Sequence, residues 1–206
     1  MKGVLWPGGR VRLKYSPSPK RKLDWSWEQA EVPSHNELKR CWVGINTSLP
    51  NKLIRNLIEA NVLEKQFGLI ANIKPEVKYG LEGKSRIDLL LEPKSSNSDN
   101  RKIYIEVKNT TWCDDSLALF PDTVTTRGQK HLRELMGVCP NSRAVLIPCI
   151  SRSDMDIFAP ADSADPKYGD LFREALSNGI EVIPCSFGFF NDHITWEGVK
   201  PFRRFQ

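Results

Sequence analysis

The stretch KIYIEVKN, residues 102–109, sets an acid, Glu106, and a base, Lys108, two positions apart in a strand-like run that also holds Ile103, Tyr104, Ile105 and Val107. Side chains alternate between the two faces of a strand, so Ile103, Ile105 and Val107 share one face while Tyr104, Glu106 and Lys108 share the other. The preceding strand-like run, SRIDLLLEP, places Asp88 just ahead of three leucines. If residues 86–92 and 102–108 form an antiparallel hairpin around the polar tip SSNSDN, Asp88 falls opposite Glu106, with Cβ atoms about 4.5–5.5 Å apart. Two carboxylates that close repel each other unless positive charge sits between them. A divalent cation and Lys108 would supply it. Two carboxylates holding Mg2+ or Mn2+, a bound water made more acidic, and a lysine opposing the charge of a pentavalent transition state are the parts that phosphodiester hydrolysis requires. The competing reading is a solvated outer face on which Glu106 and Lys108 simply meet water.

A second element bears on the same chemistry. In PDTVTTRGQKHLRELM, Thr126 and Gln129 form a Thr-x-x-Gln capping box ahead of the apolar stripe Leu132, Leu135 and Met136. The opposite face presents Arg127, Lys130 and Arg133 near a helix N-terminus that already favours anions, so phosphate could dock there. Gln129 reads equally well as a cap and as a site residue. His131 reads as a helix-surface residue because no partner for it is evident. Glu59 could add a carboxylate from an earlier helix, but its place far from that helix's apolar stripe suits a solvated side chain.

Composition narrows the class. The 206 residues are 40% hydrophobic and 27% charged, which is ordinary for a soluble globular protein. No apolar run approaches the roughly 18–20 residues of a membrane span, and MKGVLWPGGRVRLKYSP lacks the apolar centre of a signal peptide, so the chain reads as cytoplasmic with no membrane partner. Cys41, Cys113, Cys139, Cys149 and Cys185 are odd in number and widely spaced, which reads as reduced structural thiols. The net charge of +5 is an N-terminal property: Lys2, Arg10, Arg12, Lys14, Lys20, Arg21 and Lys22 all precede the first acid. Trp6, Trp25, Trp27 and Trp42 share that region. Cations that neutralise phosphates beside rings that stack on bases suit nucleic acid. Alternatively, Trp25 and Trp27 form the buried face of a small sheet.

The pattern of elements follows. Residues 10–15, 23–32 and 41–46 read as three short strands; from Leu49, the spacing of Leu53, Ile54, Leu57, Ile58 and Val62 predicts a helix, with Pro50 in its first turn. Strands at 74–79, 86–92 and 102–109, a helix at 127–137, a strand at 143–150, a helix at 167–177 and a strand at 180–186 complete an αβββαβαβ order. The class is α/β, a mixed sheet flanked by helices. DMDIFAPADSADPK, 154–167, reads as a surface crossing, and GLEGKS, 80–85, as a hairpin turn rather than a phosphate-binding loop. The three histidines form no ligand spacing, so zinc is not expected.

Asp88 followed by Glu106-Val107-Lys108 resembles the pattern of the PD-(D/E)XK nuclease superfamily, with Ile87 where that pattern has proline. Longer blocks carry a more specific resemblance: WVGINTSLPN at 42–51, EVKYG at 76–80, SRID at 85–88, YIEVK at 104–108 and FPDTVTTRGQKHLREL at 120–135 closely resemble the sugar fermentation stimulation protein family. The resemblance implies an OB-like β domain over 1–47 and a restriction-endonuclease-like domain with an αβββαβ core over 48–206. Family members carry residues ahead of the point where this chain begins, so the OB-like segment is expected to be truncated; three strands cannot close a five-stranded barrel. Carried over by motif, Asp88, Glu106 and Lys108 are the nuclease-like triad, Asp88 and Glu106 the Mg2+ or Mn2+ ligands, and Glu76, Lys78 and Gln129 supporting residues. The partner implied is DNA, held mainly through phosphates by the N-terminal cations and by Arg127, Lys130 and Arg133. The competing reading is a DNA-binding transcriptional effector that keeps the nuclease fold without turnover.

Overall fold

Apolar residues that run unbroken along a strand must be covered on both faces, and LLL at 89–91 and RAVLIPCI at 143–150 are such runs. A computed structural model of the chain describes residues 2–20, 22–34, 39–80, 83, 85–139 and 141–206. The chain begins with β1 (Val11–Tyr15), β2 (Trp25–Pro33) and β3 (Arg40–Gly44), then α1 (Leu49–Glu59) and the short α2 (Glu64–Phe67). There follow β4 (Ile70–Tyr79), β5 (Ser85–Pro93), β6 (Ile103–Thr110), β7 (Trp112–Asp114), β8 (Leu117–Phe120) and α3 (Thr126–Val138). The last part holds β9 (Arg143–Ile150), β10 (Ile157–Pro160), α4 (Pro166–Ser177), β11 (Glu181–Val182), β12 (Cys185–Phe189) and β13 (Ile194–Val199).

The main sheet runs β13-β12-β9-β6-β5-β4, with β11 also on β9. β6, β9 and β12 are parallel, whereas β4, β5 and β6 form an antiparallel meander. Leu89, Leu91, Ile103, Ile105, Val107, Val145 and Ile147 pack beneath Ile54 and Ile58 of α1 and Phe67 of α2. On the other face Leu90, Ala144, Leu146 and Ile150 meet Leu132 and Leu135 of α3 and Tyr168, Leu171 and Phe172 of α4. The αβββαβ core, the mixed sheet and the register of the β5–β6 hairpin agree with expectation: Leu89 pairs with Ile105 and Leu91 with Ile103, which carries Asp88 opposite Glu106.

Several expectations need correction. Residues 154–167 do not cross the surface: β10 pairs in parallel with β8, and Met155, Phe158, Ala159 and Ala161 are buried. β7, β8 and β13 have no counterpart in the sequence reading, and the strand expected at 180–186 divides into β11 and β12. The turn at 80–85 joins β4 to antiparallel β5, with Gly83 N donating to Gly80 O; residues 81, 82 and 84 lie outside the described ones. All five cysteines are free. Among the described residues no helix is long and apolar enough to cross a membrane.

The N-terminal sheet, ordered β1-β2-β3, buries Ala30, Val32 and Val43 with Val4 and Ile45. Its far end stays open to solvent: Trp25 is 53% exposed, in contact with Tyr15 at a centroid distance of 4.9 Å, and Trp27 is half-buried. β3 is stitched to the main sheet where Gly44 N donates to Ser151 O at 2.8 Å and Asn109 Nδ2 donates to Gly44 O at 3.3 Å. Glycine is needed there, because a Cβ would lie 2.2 Å from the Phe189 ring.

α3 and α4 are tied together at their N-termini by one buried carboxylate. Asp165 caps α4 by accepting from Tyr168 N at 3.0 Å, and also accepts from Thr125 N at 2.9 Å and from Gln129 Nε2 at 3.0 Å. Burial pushes its carboxyl up, but these donors outweigh that and hold it below the ordinary carboxylate value. Asp165→Ala loses a cap worth about 1 kcal/mol and strands a buried amide at a cost of about 1–3 kcal/mol, so chemical denaturation should show a loss of roughly 2–4 kcal/mol near pH 7. Because the folded value is depressed, this carboxylate's contribution is present above the unfolded value of about 3.9 and is lost as pH falls through the folded value. The difference between wild type and variant should therefore narrow below about pH 4; a pH-independent difference would show that the carboxylate charge is not involved.

Candidate functional site

Asp88 and Glu106 meet where the β5–β6 ladder opens. Backbone pairing ends at Leu89 and Ile105, and at the next position Asp88 Oδ2 accepts directly from Val107 N at 2.8 Å, so a carboxylate satisfies an amide that the ladder would otherwise bond. Asp88 Oδ1 accepts from Asn51 Nδ2, in the first turn of α1, at 2.8 Å. On the other side of Asp88, β4 carries Glu76 between Pro75 and Val77, the partners of Leu89 and Ile87. Glu76 is exposed and has φ +54°, a left-handed conformation that costs a side-chain-bearing residue roughly 1–2 kcal/mol.

Glu106 lies under α3 and is only 2% exposed, which excludes the solvated-face reading. Lys108 Nζ donates to Glu106 Oε1 at 2.5 Å, and His131 Nδ1 hydrogen-bonds the same oxygen. Lys108 Nζ and His131 Nδ1 are 3.1 Å apart. Glu106 Oε2 is buried with no hydrogen-bond partner among the described residues, as are the hydroxyls of Tyr79 and Tyr168. Both phenols are pushed upward, mainly by burial and secondarily by the negative charge of Glu106. The two carboxylates diverge. Burial, then the charge of Glu106, pushes Asp88 up; burial also pushes Glu106 up, but His131 and Lys108 outweigh it and leave Glu106 below the ordinary value.

This donor set fits a hard divalent cation: two carboxylates side by side, one with a buried oxygen that has no other partner among the described residues. No group of three or more His, Cys, Asp or Glu side chains is arranged to hold a metal among the described residues, so water and substrate oxygens would complete the shell, as they usually do around Mg2+.

The other expected site residues are distributed as follows. Gln129 is buried and donates to Asp165 rather than to Asp88 or Glu106. The capping box is displaced by one residue: Thr125 is the N-cap and its side chain accepts from Gly128 N at 3.1 Å. Arg127, Lys130 and Arg133 are exposed along α3, with Lys130 3.6 Å from Glu134. Lys78 is exposed and pairs across the hairpin with Arg86. Lys14, Lys20 and Lys22 are exposed, whereas Arg10 is paired with Glu31, and Arg12 lies over the Trp42 ring and donates to Phe190 O at 2.5 Å. Arg21 lies outside the described residues. Glu59 is solvated and paired with Arg55.

His131 is the main correction, being 6% exposed and part of the site rather than a surface residue. One signal pointed that way: it falls on the buried stripe of Gly128, Leu132 and Leu135. Asn51, Tyr79 and Tyr168 were not anticipated, since nothing local marks a residue whose partner comes from another element.

Lys108→Met tests the burial directly, because it keeps the stem and removes only the ammonium. A hydrogen bond to a buried charged group is worth about 1.5–3 kcal/mol, and urea denaturation should show a loss in that range. A change within about 0.5 kcal/mol, as for an ordinary surface residue, would contradict the contact.

Comparison with known proteins accords with this fold. A family model described as "Sugar fermentation stimulation protein RE domain" matches residues 48–193, and one described as "SfsA N-terminal OB domain" matches residues 1–45. A sugar fermentation stimulation protein homolog of Prochlorococcus marinus (strain NATL1A) is 80% identical over 98% of this chain and 80% of the relative. One of Parasynechococcus marenigrum (strain WH8102) is 64% identical over 99% of this chain and 80% of the relative. Among solved structures, Pyrococcus furiosus SfsA, described in complex with Ca2+, shares the fold with a TM-score of 0.75 at 24% identity, over 95% of this chain and 77% of that one. By both family models and by these relatives, the chain belongs to the sugar fermentation stimulation protein family.

Proposed function

We propose that the chain is a DNA-binding protein whose Asp88, Glu106 and Lys108 form a Mg2+- or Mn2+-dependent phosphodiesterase site. The observation that carries this reading is Glu106 Oε2, buried without a partner among the described residues and beside a second carboxylate. Cation binding would relieve the repulsion that pushes Asp88 up and would satisfy the stranded oxygen. A cation bound there would polarise the phosphodiester and make a bound water more acidic. Lys108 would direct its ammonium at the non-bridging oxygens as negative charge builds on them. Arg127, Lys130 and Arg133 on α3, with Lys78 and Arg86 on the hairpin, are exposed cations on elements that flank the site, and would hold neighbouring phosphates. Lys14, Lys20 and Lys22 would extend that contact. Phosphate contacts carry no base information, so binding without strong sequence preference is expected. The Ca2+ complex described for the Pyrococcus furiosus neighbour involves the same hard, oxygen-seeking class of cation.

A second reading is a DNA-binding effector without turnover. It is favoured by the engagement of Lys108 with Glu106 Oε1 and by the absence of a third metal-ligating side chain among the described residues.

The test is cleavage of a labelled DNA panel in Mn2+ by wild type, Lys108→Ala and Glu106→Ala, with binding followed in parallel across a salt series. Wild type should cleave, Lys108→Ala should be slower by about 10²- to 10³-fold, and Glu106→Ala should be inactive. Affinity should fall steeply with salt in all three. Salt-sensitive binding without cleavage would favour the effector; equal cleavage by all three would place the activity elsewhere.

A further inference from the structure

The two carboxylates are each held from a helix, and the helices lie on opposite faces of the sheet. Asn51 of α1 holds Asp88, and His131 of α3 holds Glu106. The hydrogen-bond partners of His131 define which nitrogen carries its proton. Arg127 Nε lies 3.5 Å from His131 Nε2 and Lys108 Nζ 3.1 Å from Nδ1, and since both groups only donate they point to opposite tautomers; the carboxylate decides, because ionised Glu106 can only accept and so takes its hydrogen bond from Nδ1. The proton of the imidazole is then on Nδ1, where it is donated to Glu106 Oε1. Lys108 converges on the same oxygen from β6. Oε1 is thereby fully engaged, the carboxylate plane is fixed, and Oε2 is left as the one buried oxygen of Glu106 without a partner among the described residues.

Resting on the cation-site reading above, we infer that His131 is a positioning residue: by fixing Oε1 it orients Glu106 so that Oε2 is presented to the divalent cation that Asp88 shares. The side chain does not touch substrate. Its effect is exerted through the rotamer of Glu106, as the outer partners of metal ligands do elsewhere, where their loss typically costs 10- to 100-fold in metal affinity or activity.

The experiment measures Mn2+ affinity of the full chain by electron paramagnetic resonance, without DNA, for wild type, His131→Leu and His131→Asn. Leucine fills space but cannot donate, whereas the amide nitrogen of asparagine lies close to the position of Nδ1. His131→Leu should bind Mn2+ about 10- to 100-fold more weakly, and His131→Asn should recover most of that loss. The fold of each variant is checked by its melting temperature in chelator, which a purely structural role would lower in step with affinity. Undiminished Mn2+ binding by His131→Leu, or an equal loss in both variants, would overturn the inference while leaving the site intact. Wild type that binds no Mn2+ would overturn the cation-site reading itself, and the inference with it. Independently, long-range 1H–15N correlation of metal-free wild type should show His131 protonated at Nδ1; a bare Nδ1 would overturn the assignment whatever the metal does.

Discussion

The structure around the site depends on one constraint: a carboxylate is buried on a strand covered on both faces, with a second carboxylate at its side. Glu106 cannot turn to water, because α3 lies over that face of β6 while the alternate residues Ile105 and Val107 are locked under α1. An ionised carboxylate in such a place must be matched by donors or positive charge. His131 and Lys108 match one oxygen and leave the other without a partner among the described residues. Asp88 meets the same constraint differently, by taking a backbone amide from the sheet and a side-chain amide from α1. The ladder gap and the polar reach of both helices are consequences of these two charges.

The rest of α3 and α4 secures that arrangement. His131 can reach Glu106 only if α3 lies at a defined position on the sheet, and Asp165 sets it by bonding to Thr125, Gln129 and Tyr168 at once. Gln129 therefore contributes to the site through helix placement, by its bond to Asp165, and not by touching Asp88 or Glu106. One helix thus presents buried residues that hold Glu106, and exposed cations outward at Arg127, Lys130 and Arg133. The N-terminal sheet is bound to the same body through Gly44 and through Arg12, whose charge is spent on Trp42 and the Phe190 carbonyl.

What could be read from the sequence was whatever is encoded locally. The alternation in KIYIEVKN and the polar tip between the two strands were sufficient to place Asp88 opposite Glu106, because a hairpin's register follows from its turn. α1 announced itself by the spacing of its apolar residues and by Pro50 in its first turn. The failures were non-local. β7, β8 and β10 span only three or four residues each, too few to show a period, and β10 is held by parallel pairing to a strand far away in the chain. Arg10 and Arg12 read as free cations, and their internal partners Glu31, Trp42 and Phe190 lie on other strands or beyond them. The burial of His131 is non-local in the same way, since Glu106 precedes it by 25 residues and belongs to a different element.

The central claim is that Asp88 and Glu106 hold a single divalent cation between them. The most direct measurement is an anomalous difference map from crystals grown with Mn2+, recorded at the manganese edge. One peak is expected within about 2–2.5 Å of an oxygen from each carboxylate, with Glu106 engaged through Oε2 and its other oxygen still on His131. A map with no peak there, or a peak elsewhere while Glu106 keeps its metal-free contacts, would contradict it.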